Sequence, residues 1–197
     1  MNKKWLVPGV VAAIVVVLLI AFVGMFNGLV AQRETVTTAF SKVQSQYQRR
    51  ADLIPNLVST VKGAADFEQS TITGVTEARA KATSISIDAS NATPEQIQQY
   101  QNAQGELSTA LGRLLAVTEN YPQLKATEAF RDLQVQLEGT ENRITVARND
   151  YNEAARPYNT RLQTFPTNLV AAPFGFEKKP YFEAQAGAER APEVNFE

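Results

Sequence analysis

Chemistry in this chain would have to come from carboxylates, lysines, hydroxyls and tyrosines. One dense gathering of polar groups is TENRITVARNDYN, Thr140 to Asn152. Glu141 and Arg148 stand one heptad apart there, and Asn142, Asp150 and Asn152 crowd the same apolar stripe. A carboxylate dyad in such a place is the raw material of general acid–base catalysis. A second gathering is RRADLIPNLVSTVKG, Arg49 to Gly63, where Arg49, Arg50, Asp52, Pro55 and Asn56 interrupt a pattern that otherwise repeats like a helix. Brought together across a bundle, Arg49, Arg50, Asp52, Asn56, Glu141, Arg148 and Asn152 form a structural polar layer. Such a layer fixes register and helix pairing at some expense of stability. Solvated charge, or a ligand or active site, are the alternatives. Nothing in the spacing requires catalysis.

Composition narrows the chemistry further. The 197 residues include no histidine and no cysteine. That double absence excludes Ser-His-Asp triads, thiolate nucleophiles and imidazole bases. It also removes Cys/His zinc sites, disulfides, and the Glu-x-x-His pairs of di-iron bundles. No catalytic residue, metal or cofactor is expected. A formal net charge of −1 gives no basic surface for nucleic acid. The 44% apolar content is enough for one domain with a true core.

The elements that must position these residues begin with WLVPGVVAAIVVVLLIAFVGMFNGLVAQ, which carries no charge between Lys4 and Arg33. Leu6 to Phe26 would rise about 32 Å as a helix, one hydrocarbon thickness. Trp5 stands where an interfacial aromatic belongs, and Pro8 falls in the first turn. A cleaved signal peptide is the rival reading, and its apolar region is normally shorter than this one. Gly24 and Gly28 form a G-x-x-x-G that permits close transmembrane packing of helices; ordinary glycine usage in such helices is the alternative. Lys3, Lys4 and the terminal amine favour an inside amino terminus, a bias that Lys42, Arg49 and Arg50 weaken.

Apolar or aromatic residues then fall at Phe26, Leu29, Val36, Phe40, Val43, Tyr47, Ile54, Leu57 and Val61, with Arg33 and Arg50 in the two vacant places. This three-four spacing predicts one helix from about Trp5 to Lys62. Arg50 either swings to the edge or is buried with a carboxylate. Pro55 is expected to kink or end the rod, since it removes the bond to the carbonyl of Ala51. A weaker helix follows, with Phe67, Thr71, Val75, Ala78, Ala82 and Ile85 on one face, and dissolves in TSISIDASNA. Thr93-Pro94-Glu95-Gln96 reads as a capping box opening a third helix, striped by Ile97, Tyr100, Gln104, Leu107, Leu111, Leu114, Thr118 and Tyr121. Pro122 ends it. A fourth starts near Thr127, with Phe130, Leu133, Leu137, Thr140, Ile144, Ala147, Tyr151, Ala154 and Tyr158 in its stripe. Pro157 marks a kink or stop within it.

The pattern predicts an all-α chain: a transmembrane helix (residues 1–31) continuing into an antiparallel four-helix bundle (32–165) with an aromatic, proline-rich, extended tail (166–197). In FPTNLVAAPFGFEKKPYFE the tail anchors are Phe165, Phe174, Phe176, Tyr181 and Phe182. They suit a membrane interface or, alternatively, the surface of this bundle or a neighbour's. AQAGAERAPEVNFE beyond them reads as loose.

At this point the chain resembles the LemA family, bacterial membrane-anchored helical proteins. The resemblance is carried by VQSQYQRRADLIPNLVSTVKG, EQSTITGVTEARAKA, NYPQLKATEAFRDLQVQLEGTENRITVARNDYNEA and YNTRLQTFPTNLVAAPFGFEKKPYFE. It implies a four-helix bundle behind one transmembrane helix, without assigned catalysis. The family's recurrent polar positions fall on Arg49, Arg50, Asp52, Pro55, Asn56, Glu141, Arg148, Tyr151 and Asn152.

The expected function is a non-enzymatic scaffold that self-associates and organises membrane or envelope partners. An adaptor presenting substrates to a membrane protease or chaperone is the alternative, and a carboxylate-based hydrolase a remote third. The expected partners are the lipid bilayer, further copies of the chain, and membrane or envelope proteins. The expected location is the bacterial cytoplasmic membrane, single-pass, with the bundle on the extracytoplasmic side.

Overall fold

The computed structural model describes residues 3–63, 67–90 and 92–183, with side chains from Val7 onward. Expectations for the Lys3, Lys4 and Trp5 side chains and for residues 184–197 fall outside that description. Among the described residues all regular structure is helical: α1 (Lys3–Lys62), α2 (Gln69–Ser84), α3 (Pro94–Val117), α4 (Pro122–Lys125), α5 (Glu128–Gln163) and α6 (Thr167–Ala171).

The apolar stretch and the first bundle helix are one unbroken helix of 60 residues. Every apolar position of the predicted seam from Leu29 to Val61 is buried, whereas from Val7 to Val23 all the apolar side chains but the half-buried Phe22 face outward. This one helix is long and apolar enough to cross a membrane. Pro55 does not end it. The carbonyl that Pro55 orphans, that of Ala51, accepts a 2.8 Å hydrogen bond from Arg79 Nε of α2. The break in the helical ladder thus becomes a link between helices.

The capping box of α3 forms as the residues demand. Gln96 N donates to Thr93 Oγ1 at 3.3 Å and Thr93 N donates to Gln96 Oε1 at 3.0 Å. The helix stops earlier than expected, at Val117, and a 3-10 turn carries the chain to Pro122, which opens the single turn α4 rather than merely ending α3. Helix α5 runs through Pro157 to Gln163 without stopping. Its stripe drifts at the end, where Ala155 rather than Ala154 is buried. On α2 it is Ile72, not Thr71, that is buried with Val75 and Ala82. The tail is not wholly extended: α6 and a 3-10 turn come first, and Gly175 (φ 70°) then reverses the chain.

Helix α1 packs chiefly on α5 and α2 chiefly on α3. The first pair is antiparallel, since Arg161 meets Gly28 while Glu141 meets Arg50. The second is antiparallel too, since Ala82 at the end of α2 meets Gln104 while Ser70 near its start shares a hollow with Arg113. The core falls into two clusters. One, nearer the apolar stretch, gathers Leu29 to Tyr47 of α1, the start of α3, the second half of α5, and Phe176 and Phe182. The other gathers Ile54 to Val61, α2, the rest of α3, Leu124, and Phe130 to Leu137. Leu29, and partly Phe26, already belong to the first cluster, so bundle packing begins before residue 32.

Candidate functional site: a buried arginine and a strapped tail

Arg50 occupies the level between the two clusters. A seam position on a continuous helix gives its side chain nowhere to go but inward, and it is 1% exposed. Its four terminal N–H groups meet four acceptors. Nη1 donates to Ser108 Oγ (2.6 Å) and Glu141 Oε2 (2.9 Å); Nη2 donates to the Gln104 carbonyl (3.0 Å) and Gln104 Oε1 (2.7 Å). Nε has no hydrogen-bond partner in the protein. The guanidinium also lies 5.3 Å from the Tyr47 ring centroid. One cation therefore joins α1, α3 and α5.

Arg148, one heptad after Glu141, reaches the other side of Tyr47. Its Nε donates to Tyr47 Oη at 2.8 Å, and its guanidinium lies 5.5 Å from the Phe182 ring centroid. Burial raises the Tyr47 pKa above its ordinary 10.0, against the opposing pull of Arg148 and Arg50. The hydroxyl is therefore held neutral. The Glu141 side chain is half-exposed and ion-paired with Arg50. Among the described residues no group of three or more carboxylates gathers in a way that would hold a metal ion.

The other members of the expected layer lie elsewhere. Arg49, Asp52 and Asn56 are exposed. They lie on the outer face of α1, where Asp52 accepts a hydrogen bond from Gln48 one turn earlier. Asn152 belongs to a different device. Its Nδ2 donates to the Phe182 carbonyl (2.9 Å) and its Oδ1 accepts from Phe182 N (2.8 Å). Asn159 repeats the arrangement with Lys179, at 2.7 and 2.8 Å. Between them Tyr151 Oη donates to the Pro180 carbonyl at 2.9 Å. Two asparagines and a tyrosine thus strap residues 179–182 along α5. Lys179 Nζ donates to the Ser90 carbonyl (3.0 Å), tying the strap to the α2–α3 connection. Burial, with Arg33 second, lowers the Lys179 pKa.

The expected tail anchors divide. Phe176 and Phe182 are buried in the bundle, whereas Phe165 is 75% exposed and Phe174 and Tyr181 are exposed as well. Phe174 meets the Phe22 ring at a tilt and the Phe26 ring edge to face, with centroids 5.6 and 5.4 Å away. Gly28 is not a bare patch: an added Cβ there would come within 2.6 Å of the Arg161 guanidinium, while Gly24 is open. Gln104, Ser108 and Tyr47 were not singled out by sequence reasoning as partners of Arg50. Gln104 carried the usable signal, as an amide in an apolar stripe.

These features define a class: a helical bundle built on one apolar N-terminal helix and closed by a strapped C-terminal tail. The LemA family model matches residues 39–196, which take in both the arginine layer and the strap, and the chain belongs to the LemA family. It is 28% identical to Magnetosome protein MamQ 2 of Paramagnetospirillum magneticum, over 91% of this chain and 73% of that protein. It is 25% identical to Protein LemA of Metamycoplasma hominis, over 83% and 71% respectively. Magnetosome protein MamQ of Magnetospirillum gryphiswaldense is 27% identical over 89% and 72%. Family and apolar helix together make it a membrane-associated protein.

Proposed function

We propose that this protein is a non-enzymatic, single-pass membrane scaffold that self-associates and organises membrane or envelope partners. The observation that carries the reading is the continuity of α1. A helix with no break between its outward-facing apolar stretch and the buried seam transmits the orientation of one to the other. A partner held by the bundle is then held at a fixed height and angle over the bilayer. The polar groups brought together at Arg50 are engaged with one another, which supports a structural role for them. Gly24, where an added Cβ would meet nothing within 4 Å, leaves backbone open on α1 for a second helix.

Light scattering of the full chain in mild detergent tests self-association. An oligomer is expected, and a strict monomer at micromolar concentration refutes the scaffold. Crosslinking in cells separates it from an adaptor, for which heterologous partners would dominate over self-contacts. We place the bundle on the extracytoplasmic side because Lys3 and Lys4 flank the other end of the apolar stretch. The chain has no cysteine, so a single Val135→Cys on the exposed face of α5 reports cleanly. It should react with a membrane-impermeant maleimide added to spheroplasts; protection until lysis would reverse the orientation.

A further inference from the structure

Three apolar side chains that the tail leaves uncovered, Phe165, Leu169 and Phe174, lie within one short segment. We propose that the segment from Phe165 to Phe174 is a second membrane contact. Phe165, Leu169 and Phe174 enter the bilayer surface as a wedge, and Arg156 and Arg161 above them bind the phosphates of anionic lipid headgroups. This rests on the reading of α1 as a membrane span.

Three observations converge on it. First, exposure: Phe165 is 75%, Leu169 66% and Phe174 52% exposed, while Thr167, Val170 and Ala171 bury the other face of α6. Second, height: Phe174 touches Phe22 and Phe26, where the apolar stretch ends. That stretch, about 32 Å from Leu6 to Phe26, matches a hydrocarbon layer of about 30 Å, so Phe174 lies at its edge. Third, charge: the Arg161 guanidinium rests on Gly28, about 3 Å further along the axis, and Arg156 lies about 7 Å beyond Arg161 on α5. The headgroup layer is about 5–7 Å deep, so Arg161 falls within it, and Arg156, about 10 Å beyond Phe26, stands at its outer margin within reach of a long side chain.

Arg156, Thr160, Arg161, Thr164 and Thr167, with Pro157, line an open hollow of about 540 Å³. The walls of this hollow are mostly apolar, so its capacity for phosphate lies in the two arginines, whose guanidinium groups suit phosphate oxygens. Among the described residues neither arginine is ion-paired. The acidic residues Glu34, Asp150 and Glu153 line a separate hollow, with Ala31, Thr35 and Lys42. The occupant is lipid rather than protein because Phe174 of the patch packs on Phe22 and Phe26, in the same apolar stretch of α1 whose Ile20 and Val23 face outward.

The test uses the full chain in liposomes of phosphatidylcholine and phosphatidylglycerol, with single cysteines replacing Leu18, Leu169 or Val135 and carrying a fluorophore. Spin-labelled lipids quench by depth. The label at Leu18 should be quenched by deep probes, that at Leu169 by shallow ones, and that at Val135 by neither. At Leu169, spin-labelled phosphatidylglycerol should quench several-fold better than phosphatidylcholine, and Arg156→Gln with Arg161→Gln should bring that preference close to one. Inorganic phosphate should not restore water exposure at Leu169. If Leu18 is quenched and Leu169 is not, the second contact is refuted while the span stands. Self-quenching at Leu169 between copies would assign the patch to a protein interface and likewise refute it. A quenched Leu169 without lipid preference removes the headgroup site, and an unquenched Leu18 removes the span itself.

Discussion

The two halves of the core, divided at Arg50, are built from different materials. Beyond Arg50, aliphatic side chains of α1, α2, α3 and α5 pack with Phe130 the single fully buried ring of the cluster. On the side of the apolar stretch the cluster holds Phe40, Tyr47, Tyr100, Tyr151, Tyr158, Phe176 and Phe182. The difference follows from helix length. Helices α2 and α3 are shorter than α1 and α5, so at the level of Leu29 and Val36 only two long helices remain. Residues 176–182 and, from the α2–α3 connection, residues 85–90 and Ala92 cover them there, and both segments are irregular backbone. Irregular backbone brings amides and carbonyls that helices would have satisfied internally. Large rings span the wider gap, and Asn152, Asn159, Tyr151 and Gln44 supply the missing hydrogen bonds. Helix packing asks only for periodicity, whereas a strapped tail asks for a named polar partner at each step.

The largest effect should come from the residue that joins the halves. Arg50→Ala leaves a cavity and orphans Gln104 Oε1, and should cost about 3–5 kcal/mol in denaturant unfolding of the full chain. Hydrogen exchange should accelerate in both halves. Protection lost on one side only would show that the arginine does not couple them. Leu107→Ala, at a fully buried aliphatic position, should cost about 2–4 kcal/mol. Its exchange effect should concentrate in α2 and α3 and spare residues 176–183. If the strap loosens equally, the two halves are one cooperative unit and the division at Arg50 is only geometric.

The sequence was a good guide where a period was enough. The seam from Leu29 to Val61 could be written down residue by residue, and Arg50 stood out because a cation held a place in it. Arg50 with Glu141 was a legible pairing; Ser108 and the Gln104 carbonyl were not, because which turn of α3 faces Arg50 depends on the helix pairing. Counting three and four also drifts against a true period of 3.6, which is why the count reaches Ala154 where Ala155 is buried. The path of the tail was least legible. Its bonds from Asn159 and Asn152 run to backbone atoms, which look alike at every residue. Ile87 and Ala92 lay in a stretch whose Ser, Asp and Asn content signals only a turn, yet both are core residues. The fate of Pro55 needed a second helix to be seen, since Arg79 answers the carbonyl it frees.

Smaller changes sharpen the contrast on the side of the strap. Asn159→Ala removes both bonds to the Lys179 backbone at a buried site and should cost about 2 kcal/mol. Residues 176–183 should lose exchange protection while α2 and the distal part of α3 keep theirs. An unchanged tail would mean that Phe176 and Phe182 hold it by burial alone.

Tyr151→Phe should have the smallest effect at neutral pH, about 1 kcal/mol for the single bond to the Pro180 carbonyl. Its value lies in the pH dependence. Burial raises the phenol pKa of Tyr151, and likewise of Tyr100, above the ordinary 10.0. Below pH 10 the phenol is neutral in both folded and unfolded chains, and its contribution to stability is complete. Above pH 10 the unfolded chain deprotonates first, the folded chain then holds more protons, and stability falls until the folded phenol ionises too. Unfolding free energy should therefore decline from pH 10 upward, with exchange protection failing first in the aromatic half. Tyr151→Phe should make that decline shallower, while Leu107→Ala should shift the whole curve without changing its slope. An equal slope in Tyr151→Phe would mean that Tyr151 ionises alike in both states and that its ring, not its hydroxyl, is what the strap needs.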